Sequence, residues 1–256
     1  MAKKVRIFLL LFVLLTVAVG SCQTRFRMAS WKRALNVVVF PINADGTPQT
    51  TAYISALGDE SFEDIRGFMR EEAQQYGINL INPVDVYIGP EVAEVPPPPP
   101  VGGSIPRVML WSLQLRYWAW RHGEHPILKP DIRIYALYHH PSTSQRLAHS
   151  VGLQKGLIGV ANLFAVSKMT TDNNVVITHE LLHTLGASDK YEPATNQPIF
   201  PAGYAEPERS PLYPQQFAEI MGGRIPVSQH SSIAPKALDM VLIGPQTAFE
   251  IGWSKP

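Results

Sequence analysis

Residues 179–189 read His179-Glu180-Leu181-Leu182-His183-Thr184-Leu185-Gly186-Ala187-Ser188-Asp189. The first part of this stretch ends a helical pattern that begins near Val175. Because residues four apart share one face of a helix, His179 and His183 can both reach a single zinc ion. Glu180 then lies close enough to exchange a proton with a water molecule beside that ion. The spacing therefore predicts a catalytic metal site carried by a helix.

Gly186 directly follows this helix and predicts a sharp turn, because glycine readily adopts a positive φ. Such a turn would bring Asp189 back towards the two histidines as a third ligand. The sequence leaves two alternatives open. Asp189 could cap the turn or pair with Lys190, and the third ligand would then be a downstream glutamate, one of Glu192, Glu206, Glu208 and Glu219.

The full pattern H-E-x-x-H-x-x-G-x-x-D resembles the motif of the metzincin zinc endopeptidases, and its final aspartate is similar to the snapalysin-like branch. The resemblance implies that His179, His183 and Asp189 hold Zn²⁺ and that Glu180 is the general base and acid. It also implies a methionine in a tight turn beneath the metal. Glu219-Ile220-Met221-Gly222-Gly223 resembles that turn, with Met221 as its methionine.

The same resemblance implies an α+β domain of the α/β type, with a twisted, mainly parallel mixed sheet, an antiparallel edge strand, an active-site helix and a C-terminal helix. The segment from Leu157 to Val166 matches the edge strand, along which a protein or peptide substrate would lie extended. Some metzincins stabilise the oxyanion with a tyrosine two residues after the turn methionine, where this chain has Gly223. Tyr191, Tyr204 and Tyr213 therefore stay unassigned.

Apolar periodicity predicts the remaining elements. Strands are expected over residues 34–42, 84–88, 131–138, 146–153 and 157–166, and helices over 61–77 and 104–120, with Thr171-Asp172 as the N-cap of the active-site helix. The proline run and the glycines that follow it predict a surface loop over residues 96–103. Residues 34–256 are expected to form a single catalytic domain.

The first residues have the composition of an export signal: basic residues precede an apolar run from Ile7 to Val19. At about 13 residues the run is shorter than the roughly 20 that a spanning helix needs. Val19-Gly20-Ser21-Cys22 resembles the lipobox of bacterial lipoproteins. The resemblance implies a signal peptide over 1–21, a linker over 22–33 and an exported protein held in the cell envelope by a lipid on Cys22. An uncleaved N-terminal anchor and a secreted protein are the alternatives.

The charges and the cysteine count exclude several classes of protein. With 22 basic against 21 acidic residues, the chain lacks the positive field that nucleic-acid binding needs. Its single cysteine, Cys22, excludes an internal disulfide and a thiolate metal cluster. We therefore expect a monomeric zinc peptidase. The alternatives are a non-catalytic envelope lipoprotein that binds peptides or protein partners, and an amidase that acts on cell-wall peptides.

Overall fold

A computed structural model describes residues 30–100, 104–144, 147–148, 150–154 and 156–255. Within them the helices are α1 (Pro48–Ser55), α2 (Glu63–Gln75), α3 (Ile105–His122), α4 (Thr170–Leu185) and α5 (Pro245–Glu250), with 3₁₀ turns at Asp59–Phe62, Ser167–Met169 and Leu238–Met240. The strands are β1 (Leu35–Asn43), β2 (Val84–Ile88), β3 (Ile132–His139), β4 (Val151–Leu153), β5 (Ile158–Phe164), β6 (Tyr191–Glu192), β7 (Gln197–Pro198), β8 (Ala218–Glu219), β9 (Ile225–Ser228), β10 (Ser231–Ile233) and β11 (Val241–Leu242). The predicted signal peptide and Cys22 lie outside the described residues.

Five strands form one mainly parallel sheet in the order β2-β1-β3-β5-β4. The first four run parallel to their neighbours, and β4 runs antiparallel to β5. A strand that is covered on both faces needs apolar side chains throughout, and the sequence of β1, LNVVVFPIN, has this composition. The predicted mixed α/β class with a mainly parallel sheet is therefore confirmed.

The two faces of this sheet bury separate apolar cores. Along β1, Val37 and Val39 belong to one core, whereas Val38 and Phe40 belong to the other. Helices α1, α2, α4 and α5 contribute to the first core. Among the described helices, α3 is the one that packs in the second core. The sheet thus separates α3 from the helix that carries the predicted metal motif.

The predicted active-site helix exists, but it begins earlier than expected. The 3₁₀ turn Ser167–Met169 leads directly into α4, so Thr171 and Asp172 lie in its first turn and do not cap it. There the negative charge of Asp172 is favourable, because the N-terminal end of a helix carries partial positive charge. The buried side chain of Asn173 attaches α4 to the sheet, since it bonds both the backbone N–H and the carbonyl of Phe164.

The sheet has the predicted antiparallel edge strand, but the prediction that residues 157–166 form it is wrong. The segment predicted over 157–166 forms β5, which lies inside the sheet between β3 and β4. The strand at this edge of the sheet is β4, which lies within the longer strand predicted over 146–153. Both segments have apolar residues suited to a sheet, but periodicity does not tell which strand has a second neighbour. The chain folds back between β3 and β5, and the returning segment forms β4, the second neighbour of β5.

Residues 96–100 have no regular secondary structure, as predicted for the proline run. The Pro97 carbonyl accepts a hydrogen bond of 2.9 Å from the indole N–H of Trp111. One part of this loop is therefore held against α3. None of the helices in the described part of the chain is long and apolar enough to cross a membrane.

Candidate metal centre

Two histidines on one face of α4 form the centre of the site. The rings of His179 and His183 lie 4.7 Å apart between centroids, as expected for residues one helical turn apart. Their ligand atoms and one carboxylate oxygen of Glu180 all lie within 4.8 Å of one another. The group is therefore able to hold a metal ion.

The hydrogen bonds of the two Nδ1 atoms fix the protonation of both rings. Nδ1 of His179 lies 2.9 Å from the carbonyl oxygen of Ile220, and Nδ1 of His183 lies 2.8 Å from that of Ala187. A carbonyl oxygen only accepts, so each Nδ1 must carry the proton. In a neutral imidazole the Nε2 lone pair is then free, which is the arrangement that metal-binding histidines adopt.

The turn predicted at Gly186 brings Asp189 to these lone pairs. Gly186 has a φ of 116°, in the left-handed region, and it ends α4. Oδ1 of Asp189 lies 3.1 Å from Nε2 of His179 and 3.1 Å from Nε2 of His183. Two ligands about 2.1 Å from one ion, at the tetrahedral angle, lie about 3.4 Å apart. Oδ1 of Asp189 is therefore nearly as far from each Nε2 atom as a tetrahedral zinc site requires.

The loop around Asp189 is held on both sides by groups from the C-terminal part of the chain. The carboxylate of Glu250 accepts hydrogen bonds from the backbone N–H and the hydroxyl of Ser188. It also accepts one of 2.8 Å from the buried Nζ of Lys190, whose backbone N–H donates to the Met221 carbonyl. Lys190 thus pairs with Glu250, so the alternative in which Asp189 pairs with Lys190 is wrong.

Two of the other glutamates considered as ligands are engaged elsewhere. Glu206 accepts hydrogen bonds from Arg209 and the backbone of Gln216. Glu219 is fully buried and accepts from the hydroxyl of Thr247 and the backbone N–H of Gly222. Glu192 and Glu208 are exposed, and no hydrogen bond to His179 or His183 joins either of them within the described residues. Asp189 is the carboxylate that contacts both imidazoles.

Glu180 points into the protein beside the histidines. Its side chain is 3% exposed, and Oε2 has no hydrogen-bond partner among the described residues. Burial raises the pKa of Glu180, although the neighbouring imidazoles act in the opposite direction. A buried carboxylate with one oxygen left without a partner has a position and a pKa suited to proton transfer.

The edge strand passes directly over this part of α4. A side-chain Cβ at Gly152 would lie 2.3 Å from Cβ of His183 and 3.2 Å from Oε2 of Glu180. Only glycine lets β4 approach so closely. Sequence reasoning missed Gly152, because an isolated glycine in a short apolar run gives no sign of what it faces.

The segment predicted as a methionine turn lies on the other side of the centre. Gly222 and Gly223 both donate backbone hydrogen bonds to the carbonyl of Glu219, which closes a tight turn around the fully buried Met221. The carbonyl of Ile220, just before Met221, is the acceptor for His179. The segment thus supports the orientation of a histidine through its backbone.

Of the three unassigned tyrosines, the structure brings Tyr191 to the centre. Its ring centroid lies 6.5 Å from that of His179. Burial, together with the negative charges of Asp189 and Glu180, raises the pKa of Tyr191 to about 12. Tyr204 and Tyr213 bond each other through their hydroxyls at 2.9 Å.

Without a metal, the contact between His179 and Asp189 raises the pKa of the histidine and lowers the pKa of the aspartate. Burial opposes protonation of His179, but its hydrogen bond to Asp189 and the nearby carboxylate charges outweigh burial and raise its pKa. Burial also opposes ionisation of Asp189, and the hydrogen bonds from both histidines outweigh it, so its pKa lies well below the usual range. The site therefore favours positive charge opposite Asp189, supplied by a proton or by a metal ion.

No protein-family model matches the chain, and no curated protein matches its sequence. Its fold and side chains define a mixed α/β protein with a His-Glu-His group that can hold a metal ion.

Proposed function

We propose that this protein is a zinc-dependent endopeptidase. One observation carries the proposal: Nε2 of His179, Nε2 of His183 and Oδ1 of Asp189 converge, each with a lone pair directed at the others. Both Nδ1 atoms already hold the ring protons for carbonyl oxygens, so neutral histidines leave no proton for these contacts. A bound cation would accept all three lone pairs. Two imidazoles and a carboxylate at these separations fit zinc with a fourth position open.

When bound, zinc would lower the pKa of a water molecule towards about 7 and polarise a peptide carbonyl. Glu180 is placed to take the proton as that water attacks, and to deliver it to the leaving amine. Burial favours this role because the raised pKa of Glu180 makes the proton easier to accept. A purely structural metal site would not need a buried carboxylate with an unpartnered oxygen next to its ligands.

The extended motif, the turn at Met221 and the antiparallel β4 support placing the protein among the metzincin-like zincins. In this proposal a peptide substrate lies extended along β4, because Gly152 brings β4 against His183. The strand that binds substrate is therefore β4, and not β5 as the sequence predicted. We further propose that the enzyme is exported and held at the envelope by a lipid on Cys22.

The test combines metal content with cleavage of an unfolded protein. Glu180→Gln should keep the zinc content of the wild type and lose peptidase activity, since the amide preserves shape but accepts no proton. Asp189→Ala should lose zinc as well as activity. A Glu180→Gln variant that cleaves at the wild-type rate would refute the general-base assignment. Wild-type protein that binds zinc but cleaves no member of a peptide library, cell-wall peptides included, would favour the non-catalytic lipoprotein.

A further inference from the structure

Helix α3 exposes an unusually apolar outer face. The large apolar side chains that it leaves in solvent are Ile105, Val108, Met109, Leu110, Leu113, Tyr117 and Trp120, of which Trp120 is 70% and Leu113 is 59% exposed. Soluble proteins expose single apolar residues commonly but rarely a contiguous set on one helix. This face therefore has to be covered by something else.

Three of the exposed residues lie opposite the face that packs on the sheet. Trp111, Leu115 and Trp118 are buried in the second core. At 100° per residue, Met109, Leu113 and Trp120 point about 160–200° away from Trp111. A helix that is apolar on both sides belongs in an interior, and the protein covers only one side of α3.

Charge and aromatic residues indicate which partner covers the other side. Residues 105–122 contain Arg107, Arg116 and Arg121 and no acidic residue. Arg107 and Arg121 are exposed, so the surface of α3 is basic as well as apolar. On the apolar outer face Tyr117 and Trp120 lie side by side, 6.0 Å apart between ring centroids. An apolar helix face with tryptophan and tyrosine, on a helix that carries basic and no acidic residues, is typical of helices that lie in the interface of an anionic bilayer.

The short distance along the chain from the N-terminal apolar segment also supports a membrane as the partner. Ten residues, 20–29, separate the predicted anchor from Ser30, the first described residue. Fully extended, they span about 35 Å. Either an uncleaved apolar anchor or a lipid on Cys22 would therefore hold the domain within about 35 Å of a membrane. This raises the local concentration of lipid at a face that needs apolar cover.

We propose that the outer face of α3 docks in the interface of an anionic lipid bilayer. The buried apolar residues of α4 belong to the core on the opposite side of the sheet. Docking through α3 therefore turns the face of the sheet that carries the metal centre away from the membrane. This inference concerns a surface remote from the metal centre and does not depend on peptidase activity.

The tryptophans of the chain make the proposal directly measurable. Of the five, Trp31, Trp111, Trp118 and Trp253 are at most 8% exposed, so aqueous iodide quenches essentially Trp120 alone. The full chain is reconstituted in vesicles of phosphatidylcholine mixed with phosphatidylglycerol, and separately in pure phosphatidylcholine. We expect loss of iodide quenching, a blue shift of emission and new quenching by lipids brominated in the acyl chain, in the anionic vesicles only.

Three variants assign and control this signal. Trp120→Phe should remove the lipid-quenched component. Leu113→Glu, at an exposed position where folding is unaffected, should restore iodide quenching in anionic vesicles. The same change at Ile81, which is 86% exposed outside α3, should leave the protection intact.

Three results would overturn the proposal. The first is iodide quenching of Trp120 that stays unchanged in anionic vesicles. The second is equal protection in both vesicle types, which would remove the role of the anionic lipid. The third is protection that depends on the protein-to-lipid ratio instead of on phosphatidylglycerol, because a second copy of the chain would then cover α3.

Discussion

Replacing Gly152 by alanine should test the contact between the edge strand and the metal helix. The added Cβ would lie 2.3 Å from Cβ of His183 and 3.0 Å from the carbonyl oxygen of Glu180, and neither atom can rotate away. An ordinary contact is at least 3.4 Å, so β4 and α4 must separate by about 1 Å. The clash thus acts on the helix positions of His183 and Glu180, the proposed metal ligand and general base.

The expected cost follows from this overlap. Overpacking of a fitted interior lowers the free energy of unfolding by about 1–3 kcal/mol. With a typical urea dependence of about 2 kcal/mol per molar, the unfolding midpoint should fall by roughly 1 M. A displacement of about 1 Å at catalytic groups can reduce turnover by about 100-fold. Alanine is no worse than glycine in a strand, so backbone propensity cannot account for a loss.

The matched control is Gly67→Ala in α2. There a Cβ would meet only the side chain of Arg70, at 4.0 Å, so alanine should raise the free energy of unfolding by about 1 kcal/mol through helix propensity. Urea unfolding and cleavage of an unfolded protein are measured on both variants. A Gly152→Ala protein with the stability and activity of the wild type would show that β4 does not lie against α4 as described.

Three further predictions concern the metal loop and its protonation. Gly186→Ala places a side chain at a φ of 116° and should weaken zinc binding while the helix content measured by circular dichroism is kept. Glu250→Gln should lower zinc affinity by about 10–100-fold in a competition titration, because it loosens the loop that holds Asp189, whereas the exposed Glu71→Gln should have no effect. In zinc-free protein the raised pKa of His179 stabilises the fold, fully so below the unfolded pKa of about 6.5, and this stabilisation is lost as the pH rises through the folded pKa. The melting temperature should therefore be lower at about pH 8 than at about pH 6. A zinc-free protein with the opposite trend would contradict the His179–Asp189 pairing.

The sequence predicted those parts of the site that depend on local geometry. Helical spacing places His179 and His183 on one face, and Gly186 supplies the turn that returns Asp189 to them. Both relations involve residues at most ten positions apart, for which backbone geometry alone determines proximity. The strands of the main sheet were predictable for the same reason, since their apolar runs are local.

The rest depends on contacts between distant parts of the chain. Glu250 binds Ser188 from a position 62 residues later, and nothing in its own neighbourhood indicates that partner. Likewise, the difference between β4 and β5 as edge strand depends on how the chain doubles back, and Gly152 has a function only once β4 lies on α4. A single sequence contains the residues for these contacts but no periodic signal for their pairing.

The contacts of Glu250 with the Asp189 loop also affect when the site can form during synthesis of the chain. The chain emerges with His179, His183 and Asp189 well before Glu250, so the growing polypeptide has all three proposed ligands but lacks the group that fixes the third. An unfolded segment with these side chains binds metal weakly, because a preformed site rarely exists before folding. In the proposed metalloenzyme an ion would therefore be held firmly only once the chain has been translated through α5, because Glu250 fixes the loop that carries Asp189.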